Sequence, residues 1–518
     1  MSIEEMLSRD FGTISDLIHV HAQAAPDRAA LVQPPRTLSY AEVDTLMDRV
    51  AAALQRDGVA PGEAVAICAT TSLEYAVTYL GALRAGVSVA PLAPSSTPEQ
   101  LVGMAANCDA RLLFLDAGVA AILAPVADRI SARRIALDGS DAGAAFSTWL
   151  ADEDAKPHPV TIDPGQAFNI IYSSGTTGTP KGIVQSHAMR WRHMNRLEGL
   201  GYGTEAVALI STPLYSNTTL VCFFPALAGG GTVALMPRFD ARRYLELAEQ
   251  LHATHTMLVP VQYRRLLEDP EFDRFDLSAF KSKLCTSAPF SAALKAEVLR
   301  RWPGGLTEYY GMTEGGGACI LLAHEHPDKL HTVGRPAEDN DIRVIDEAGA
   351  ELPYGEVGEI VGRSASVMTG YFKQPDKTAE ATWIDAEGNR FIRTGDVGRF
   401  DAEGFMTLMD RKKDMVISGG FNVYPSDLEA VLLQHPAVAE AAVVGAPSDR
   451  WGETPVAFVA LKPGAAAEPA DIKAFANNQL GKTQRLSDLL ILDSLPRSHI
   501  GKVLKRELRD GYKPKEGG

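Results

Sequence analysis

Residues 63–69, Glu-Ala-Val-Ala-Ile-Cys-Ala, form a short apolar run of the kind that makes a buried strand. Thr71 and Glu74 then stand at capping-box spacing, and Tyr75, Tyr79 and Leu83 recur every four residues, which predicts a helix that Gly86 stops. Residues 87–91 open a second strand. Strand-like runs recur at 206–210, 232–236 and 256–259 with helix-like segments between them, a succession that predicts parallel sheets covered by helices. From 334 to 408 the pattern changes to short strands broken by Gly and Pro, a β-rich subdomain. A charged stretch, Asp-Arg-Lys-Lys-Asp at 410–414, leads into a further unit with strands and helices of its own. The expected class is α/β: a large N-terminal domain, 1–409, of parallel helix-covered sheets plus the β-rich subdomain, and a small α+β domain, 410–518. The polar residues 512–518 are expected to fray.

A chain of 518 residues can bury more than one core. Its 46% hydrophobic and 22% charged residues are ordinary globular composition, and a net charge of −15 argues against a nucleic-acid-binding surface. An anionic substrate must therefore be met by local lysines and arginines. The five cysteines, Cys68, Cys108, Cys222, Cys285 and Cys319, are odd in number and not at metal-ligand spacing, which suits a reduced, cytoplasmic protein without disulfides. The polar, acidic start carries no secretory pattern, and the longest apolar candidate for a membrane span, 220–235, is broken by Pro225 and Gly229, Gly230 and Gly231.

The densest chemistry lies at 172–182, Tyr-Ser-Ser-Gly-Thr-Thr-Gly-Thr-Pro-Lys-Gly, between a strand-like run at 168–171 and a helix-like segment starting near His187. Glycines let a backbone approach an anion, hydroxyl and amide groups donate to it, and Lys181 adds charge. These are the properties of a phosphate-binding loop. It is not the P-loop of kinases and ATPases, which needs Gly-Lys followed by Ser or Thr, whereas Lys181 follows Pro180 and precedes Gly182. Further motifs follow in order: Tyr-Gly-Met-Thr-Glu at 310–314 ahead of Gly315, Gly316 and Gly317; Thr394-Gly395-Asp396, read as a tight glycine turn at a strand end; the run 411–429; Asp-Arg-Trp-Gly-Glu at 449–453; and Pro-Arg-Ser-His-Ile-Gly-Lys at 496–502. Taken alone, Glu314 is a loop carboxylate, Asp396 a turn residue and Lys502 a surface lysine.

Together these motifs resemble, over essentially the whole chain, the AMP-forming adenylating enzymes: acyl- and aryl-CoA synthetases of the 4-coumarate and fatty-acid ligase type, luciferases and free-standing adenylation domains. The resemblance implies a signature loop on the nucleotide phosphates (Ser173, Ser174, Gly175, Thr176, Thr177, Gly178, Lys181), with Thr176 counted among the catalytic groups. It implies Tyr310 stacked on adenine, Gly311 and Thr313 beside the nucleotide, and Glu314 as catalytic carboxylate and Mg²⁺ ligand. Asp396 and Arg411 fall on the ribose positions, and Lys502 on the adenylation lysine of a mobile C-terminal domain. Lys413 falls on the hinge. Ser418, Gly419 and Gly420 fall on the loop lining the coenzyme A tunnel, and Trp451 either packs on the coenzyme A arm or is a core residue. The implied cofactors are ATP, Mg²⁺ and coenzyme A.

Candidate neighbours of the acid are Tyr215, Ser216, Asn217, Tyr263, Ser287, Ala288, Gly311 and the glycine run with Gly316, a set that suggests a roomy, mostly apolar pocket. Relatives often carry His after the aromatic residue at 215; Ser216 and Asn217 stand here instead. No Asp follows Tyr215 to hold an amino group, which favours a fatty or aryl acid over an amino acid. The segment 496–502 also fits a pattern recognised by lysine acetyltransferases, making Lys502 a candidate for charge-removing acetylation. Monomer and homodimer both stay open. Rival readings are an enzyme loading a carrier protein, a luciferase-like oxygenase, and a nucleotide-binding pseudoenzyme; the joint presence of Lys502, Glu314 and Asp396 argues against the last.

Overall fold

The computed structural model describes residues 3–173, 181–195, 200–411, 414–418, 421–448, 451–481, 484–497 and 502–513. Its contacts divide the chain into two units. The first is 1–331 with 337–341 and 363–392; the second is 332–336 with 342–362 and 393–518.

The first unit carries two large sheets. In one, Gly305–Gly311, Ser282–Cys285, His255–Leu258, Val207–Ile210, Thr232–Leu235 and Ala29–Gln33 lie side by side and parallel, with antiparallel Ala318–Leu322 and Arg36–Ser39 beside the outer two. In the other, Ala167–Ser173, Ser88–Pro91, Ala64–Cys68, Leu112–Leu115, Arg133–Ala136 and Ala144–Ala145 are parallel, and Lys181–Ser186 and Gly370–Tyr371 extend it antiparallel. Strands such as Ala64–Cys68 are buried along their whole length, as continuous apolar runs under helices on both faces must be. The α/β class and the helix-covered parallel sheets expected from the sequence are the observed ones.

The helix Leu73–Arg84 is buried on nearly every side. Its cap differs from the expected one. Ser72 is the N-cap, accepting from the Tyr75 N–H, while the Thr71 hydroxyl accepts from the Leu214 N–H at 3.2 Å. Thr and Ser are adjacent and both can cap, and tertiary packing engages Thr71 elsewhere. The stop is as expected: Gly86 takes φ +69°, and the Val87 and Gly86 N–H groups close back on Ala82 and Leu83.

The second unit holds a small sheet of Asp341–Ile345, Gly358–Arg363, Arg390–Phe400 (which enters the unit at Arg393) and Met406–Arg411. A second sheet orders Phe421–Val423, Val416–Ser418, Gly452–Leu461 and Val438–Ser448, with Asp488–Ile491 parallel to Gly452–Leu461. Leu428, Leu432, Ile472 and Ala476, from the helices Pro425–Leu432 and Pro469–Gln479, pack with Val443, Ala457 and Val459 into its core. All five cysteines are buried and free. Among the described residues no helix is long and apolar enough to cross a membrane.

Candidate active site

The strand Ala167–Ser173 returns as Lys181–Ser186, with Tyr172 opposite Gly182 and Ser173 opposite Lys181. The signature residues Ser174, Gly175, Thr176, Thr177 and Gly178, which connect these strands, lie outside the described residues, as does the Ser173 side chain. The returning strand was not foreseen between the loop and the helix His187–Met194; its only local signal is the β-branched pair Ile183–Val184. Glycine is required at 182, because a Cβ there would lie 2.7 Å from the Ile170 side chain.

Lys181 leaves this hairpin with its Nζ 5.3 Å from the centre of the Tyr371 ring. Tyr371 pairs with Ile183 on the neighbouring short strand, and its hydroxyl donates to Glu314 Oε1 at 2.9 Å. Burial, reinforced by the Glu314 charge, raises the Tyr371 phenol far above its ordinary range, so it stays a donor. Lysine, tyrosine and carboxylate from three distant segments thus meet. Sequence reasoning found Lys181 and Glu314 but missed Tyr371, which has no motif of its own.

Glu314 follows the strand Gly305–Gly311, whose end carries Tyr310 and Gly311. Its carbonyl accepts from the Met368 N–H at 2.7 Å. Gly315 must be glycine: it takes φ +74°, and a Cβ would fall 2.0 Å from the Ser366 oxygen. Among the described residues no three His, Cys, Asp or Glu side chains gather as a metal cage. One or two carboxylates are the protein donors Mg²⁺ takes when it arrives with phosphate oxygens, and Glu314 supplies one.

Behind Thr313 lies a buried polar lattice. Gln185 Nε2 donates to the Thr313 carbonyl at 2.7 Å and to Asn217 Oδ1 at 3.3 Å. Arg190, 1% exposed, donates through Nη2 to Gln185 Oε1 and, at 2.7 Å, to Asn217 Oδ1. Thr218 and Ser287 share a hydrogen bond of 2.5 Å, and Ser287 takes φ +80°. Ala288 and Tyr215 are part-exposed; burial pushes the Tyr215 phenol up to about 12. The surroundings of Asn217 are therefore polar, where a mostly apolar lining was expected. Tyr263 has no exposed surface; its hydroxyl donates to the Leu284 carbonyl and its ring stacks on Phe290. Gln185 and Arg190 were not foreseen, since a Gln and an Arg in a helix-and-strand stretch read as surface residues.

In the second unit Asp396 lies directly across from Arg411 in the pairing of Arg390–Phe400 with Met406–Arg411. The expected strand-end turn is instead a kink inside a continuous strand: Gly395 takes φ +68°, and the Thr394 hydroxyl, which accepts from the Asp396 N–H, also donates to the Ile360 carbonyl. The flanking sheet carries the strand through the glycine, which a local turn reading cannot anticipate. The Arg411 side chain, Lys413, Gly419 and Gly420 lie outside the described residues. Ser418 is buried opposite Gly452. Trp451 is 47% exposed, which removes the core reading of that residue. Lys502 is part-exposed beside Val503, which bridges back to Arg497.

Residues 18–372 match the family model of the AMP-binding enzymes, and 427–502 match that of the AMP-binding enzyme C-terminal domain. The chain is 35% identical to a fatty acid–[acyl-carrier-protein] ligase, ScoC, of Streptomyces coeruleorubidus, over 96% of each chain. It is 32% identical to an indoleacetate–CoA ligase of Aromatoleum aromaticum, over 96% of this chain and 97% of that one. Its fold superimposes on ATP-bound MatB of Rhodopseudomonas palustris with a TM-score of 0.83 at 29% identity, covering 96% and 99% of the two chains. With both family models matched in order along its length, the chain belongs to the AMP-binding, adenylate-forming enzyme family that includes acyl- and aryl-CoA ligases.

Proposed function

We propose that this chain is an ATP-dependent carboxylic acid:CoA ligase that activates a fatty or aryl acid as its adenylate and passes the acyl group to coenzyme A in the cytoplasm. The observation that carries this reading is the Glu314 carboxylate held by Tyr371, whose ring also lies against Lys181.

A carboxylate is a poor electrophile, because its charge repels nucleophiles and oxide is a bad leaving group. Attack of a carboxylate oxygen on the α-phosphorus of ATP forms the acyl–phosphate bond and expels pyrophosphate, which answers both faults. Two anions must approach, so fixed positive charge is needed where they meet. That role goes to Lys502, with Lys181 and the loop residues 173–178 holding the phosphates; acetylation of Lys502 would remove its charge. Mg²⁺ at Glu314 would neutralise phosphate charge. Asp396 and Arg411, register partners across a strand pair, are assigned to the ribose. In the second step a thiol sulfur attacks the acyl carbon, the thiol proton passes to solvent, and AMP leaves. Ser418, Gly419, Gly420 and Trp451 are assigned to the arm that brings this thiol.

Mixing the protein with ATP, Mg²⁺, coenzyme A and a panel of fatty, aryl and amino acids tests the reading. An acyl-CoA product matched by AMP supports it. Acid-dependent pyrophosphate release without thioester would instead favour a carrier-protein acceptor, the reading that the 35% identical relative supports. The domain boundary near 410 and the hinge at Lys413 belong to the same proposal. Lys413→Pro, by fixing φ, is expected to keep acyl-AMP formation within about threefold while slowing thioester formation tenfold or more. Equal loss of both steps would remove the hinge assignment.

A further inference from the structure

Arginine has only donors, so whichever amide atom faces Arg190 must be an oxygen. That single constraint orients two side chains. Gln185, with Oε1 toward the guanidinium, turns its Nε2 to the Thr313 carbonyl and to Asn217. Asn217 receives both Arg190 Nη2 and Gln185 Nε2 on its Oδ1. Its Nδ2 is therefore turned the other way. No described residue takes up the Nδ2 hydrogens, and Asn217 is part-exposed at the first turn of the helix Asn217–Ala228. Without Arg190, the carboxamide would be free to turn over. With it, the flipped form would press N–H groups against a buried cation.

The lattice stands one residue along the chain from Glu314. Gln185 is tied to the carbonyl of Thr313, next to Glu314, and Thr218, next to Asn217, is tied to Ser287. We infer that Asn217 is a specificity-determining residue of the acid site, held by Arg190 and Gln185 with its N–H donors toward the substrate, and that it selects acids carrying a second oxygen acceptor (hydroxyl, carbonyl or carboxylate) over plain hydrocarbon acids. This rests on the ligase reading and narrows its substrate class. A hydrocarbon lying over the Nδ2 group strips water from two donors and returns nothing, which is how a polar site rejects an analogue lacking the matching group.

The test is the ratio of kcat/KM, read as acid-dependent AMP formation, for matched pairs: hydroxycinnamate against cinnamate, hydroxybenzoate against benzoate, and oxo- or hydroxy-acids against plain fatty acids of equal length. Wild type is expected to prefer the oxygenated member of at least one pair about tenfold or more. Asn217→Asp keeps an oxygen toward Arg190 but replaces the donor by an acceptor, and is expected to abolish or invert that ratio with the KM for ATP little changed. Arg190→Gln, which frees the carboxamide, is expected to lower the ratio; should that buried variant fail to fold, Asn217→Asp decides alone. Turnover with no preference in wild type, or with a preference that Asn217→Asp leaves intact, overturns the inference but not the ligase reading. AMP formation from no acid overturns both.

Discussion

Lys502→Ala is expected to slow acid-dependent pyrophosphate release about 10²–10³-fold, since the role proposed for Lys502 is to supply one preorganised charge where two anions react. The same variant, given a chemically prepared acyl-adenylate and coenzyme A, retains thioester formation within a few fold, because the second step attacks a neutral carbonyl and needs no cation between anions. Arg497 and Val503 form an isolated antiparallel backbone bridge, which truncation of the neighbouring Lys502 side chain leaves in place. Loss of both half-reactions together would mean that the substitution had damaged the C-terminal fold. Unchanged pyrophosphate release would transfer the role to Lys181.

Lys295→Met is the substitution with the largest expected cost in stability. Lys295, on the helix Ala292–Arg301, is 1% exposed; it contacts the Glu308 carboxylate and donates to the Leu330 carbonyl at 2.8 Å. Glu308 is 4% exposed on the strand that ends at Tyr310 and Gly311. Removing the lysine leaves a buried, uncompensated carboxyl, a loss of about 3–5 kcal/mol. Burial already pushes the Glu308 carboxyl up to about 7, against the pull of Lys295. Without Lys295 it moves higher still. The folded variant then holds a proton that the unfolded chain releases near its ordinary carboxyl pKa of 4.5. Its stability therefore falls as pH rises from 5 toward 8. Urea unfolding at those two pH values reads both effects. Lys295→Met with Glu308→Leu should recover most of the loss, since an apolar pair of similar volume needs no charge compensation. A single variant within 1 kcal/mol of wild type at pH 8 would show the pair to be energetically idle.

Part of the sheets was legible because several buried strands are compact apolar runs and a covering helix repeats its apolar positions every three to four residues; 64–68 and 73–84 could be read from those patterns alone. Lys181 was legible as a charge closing a glycine- and hydroxyl-rich segment, whereas Glu314 and Asp396 stood out only through the family motifs that contain them. What escaped were residues defined by partners far along the chain. Tyr371 gains its meaning only when the strand Gly370–Tyr371 pairs with Lys181–Ser186 and faces Glu314. Arg190 reads as helix-surface charge until packing buries it against two amides. The Ser72 cap escaped for the opposite reason: local sequence offered two acceptable residues, and a contact to Leu214 chose between them.

An enzyme that builds a mixed anhydride holds a reagent able to acylate any thiolate within reach, including its own. Cys68, Cys108, Cys222, Cys285 and Cys319 are all buried, and burial raises each thiol: Cys108 up to about 11, Cys222 and Cys319 to about 12, and Cys68 and Cys285 further. At neutral pH the chain therefore offers almost no nucleophilic sulfur. Burial in the hydrophobic cores thus disfavours self-acylation at sulfur.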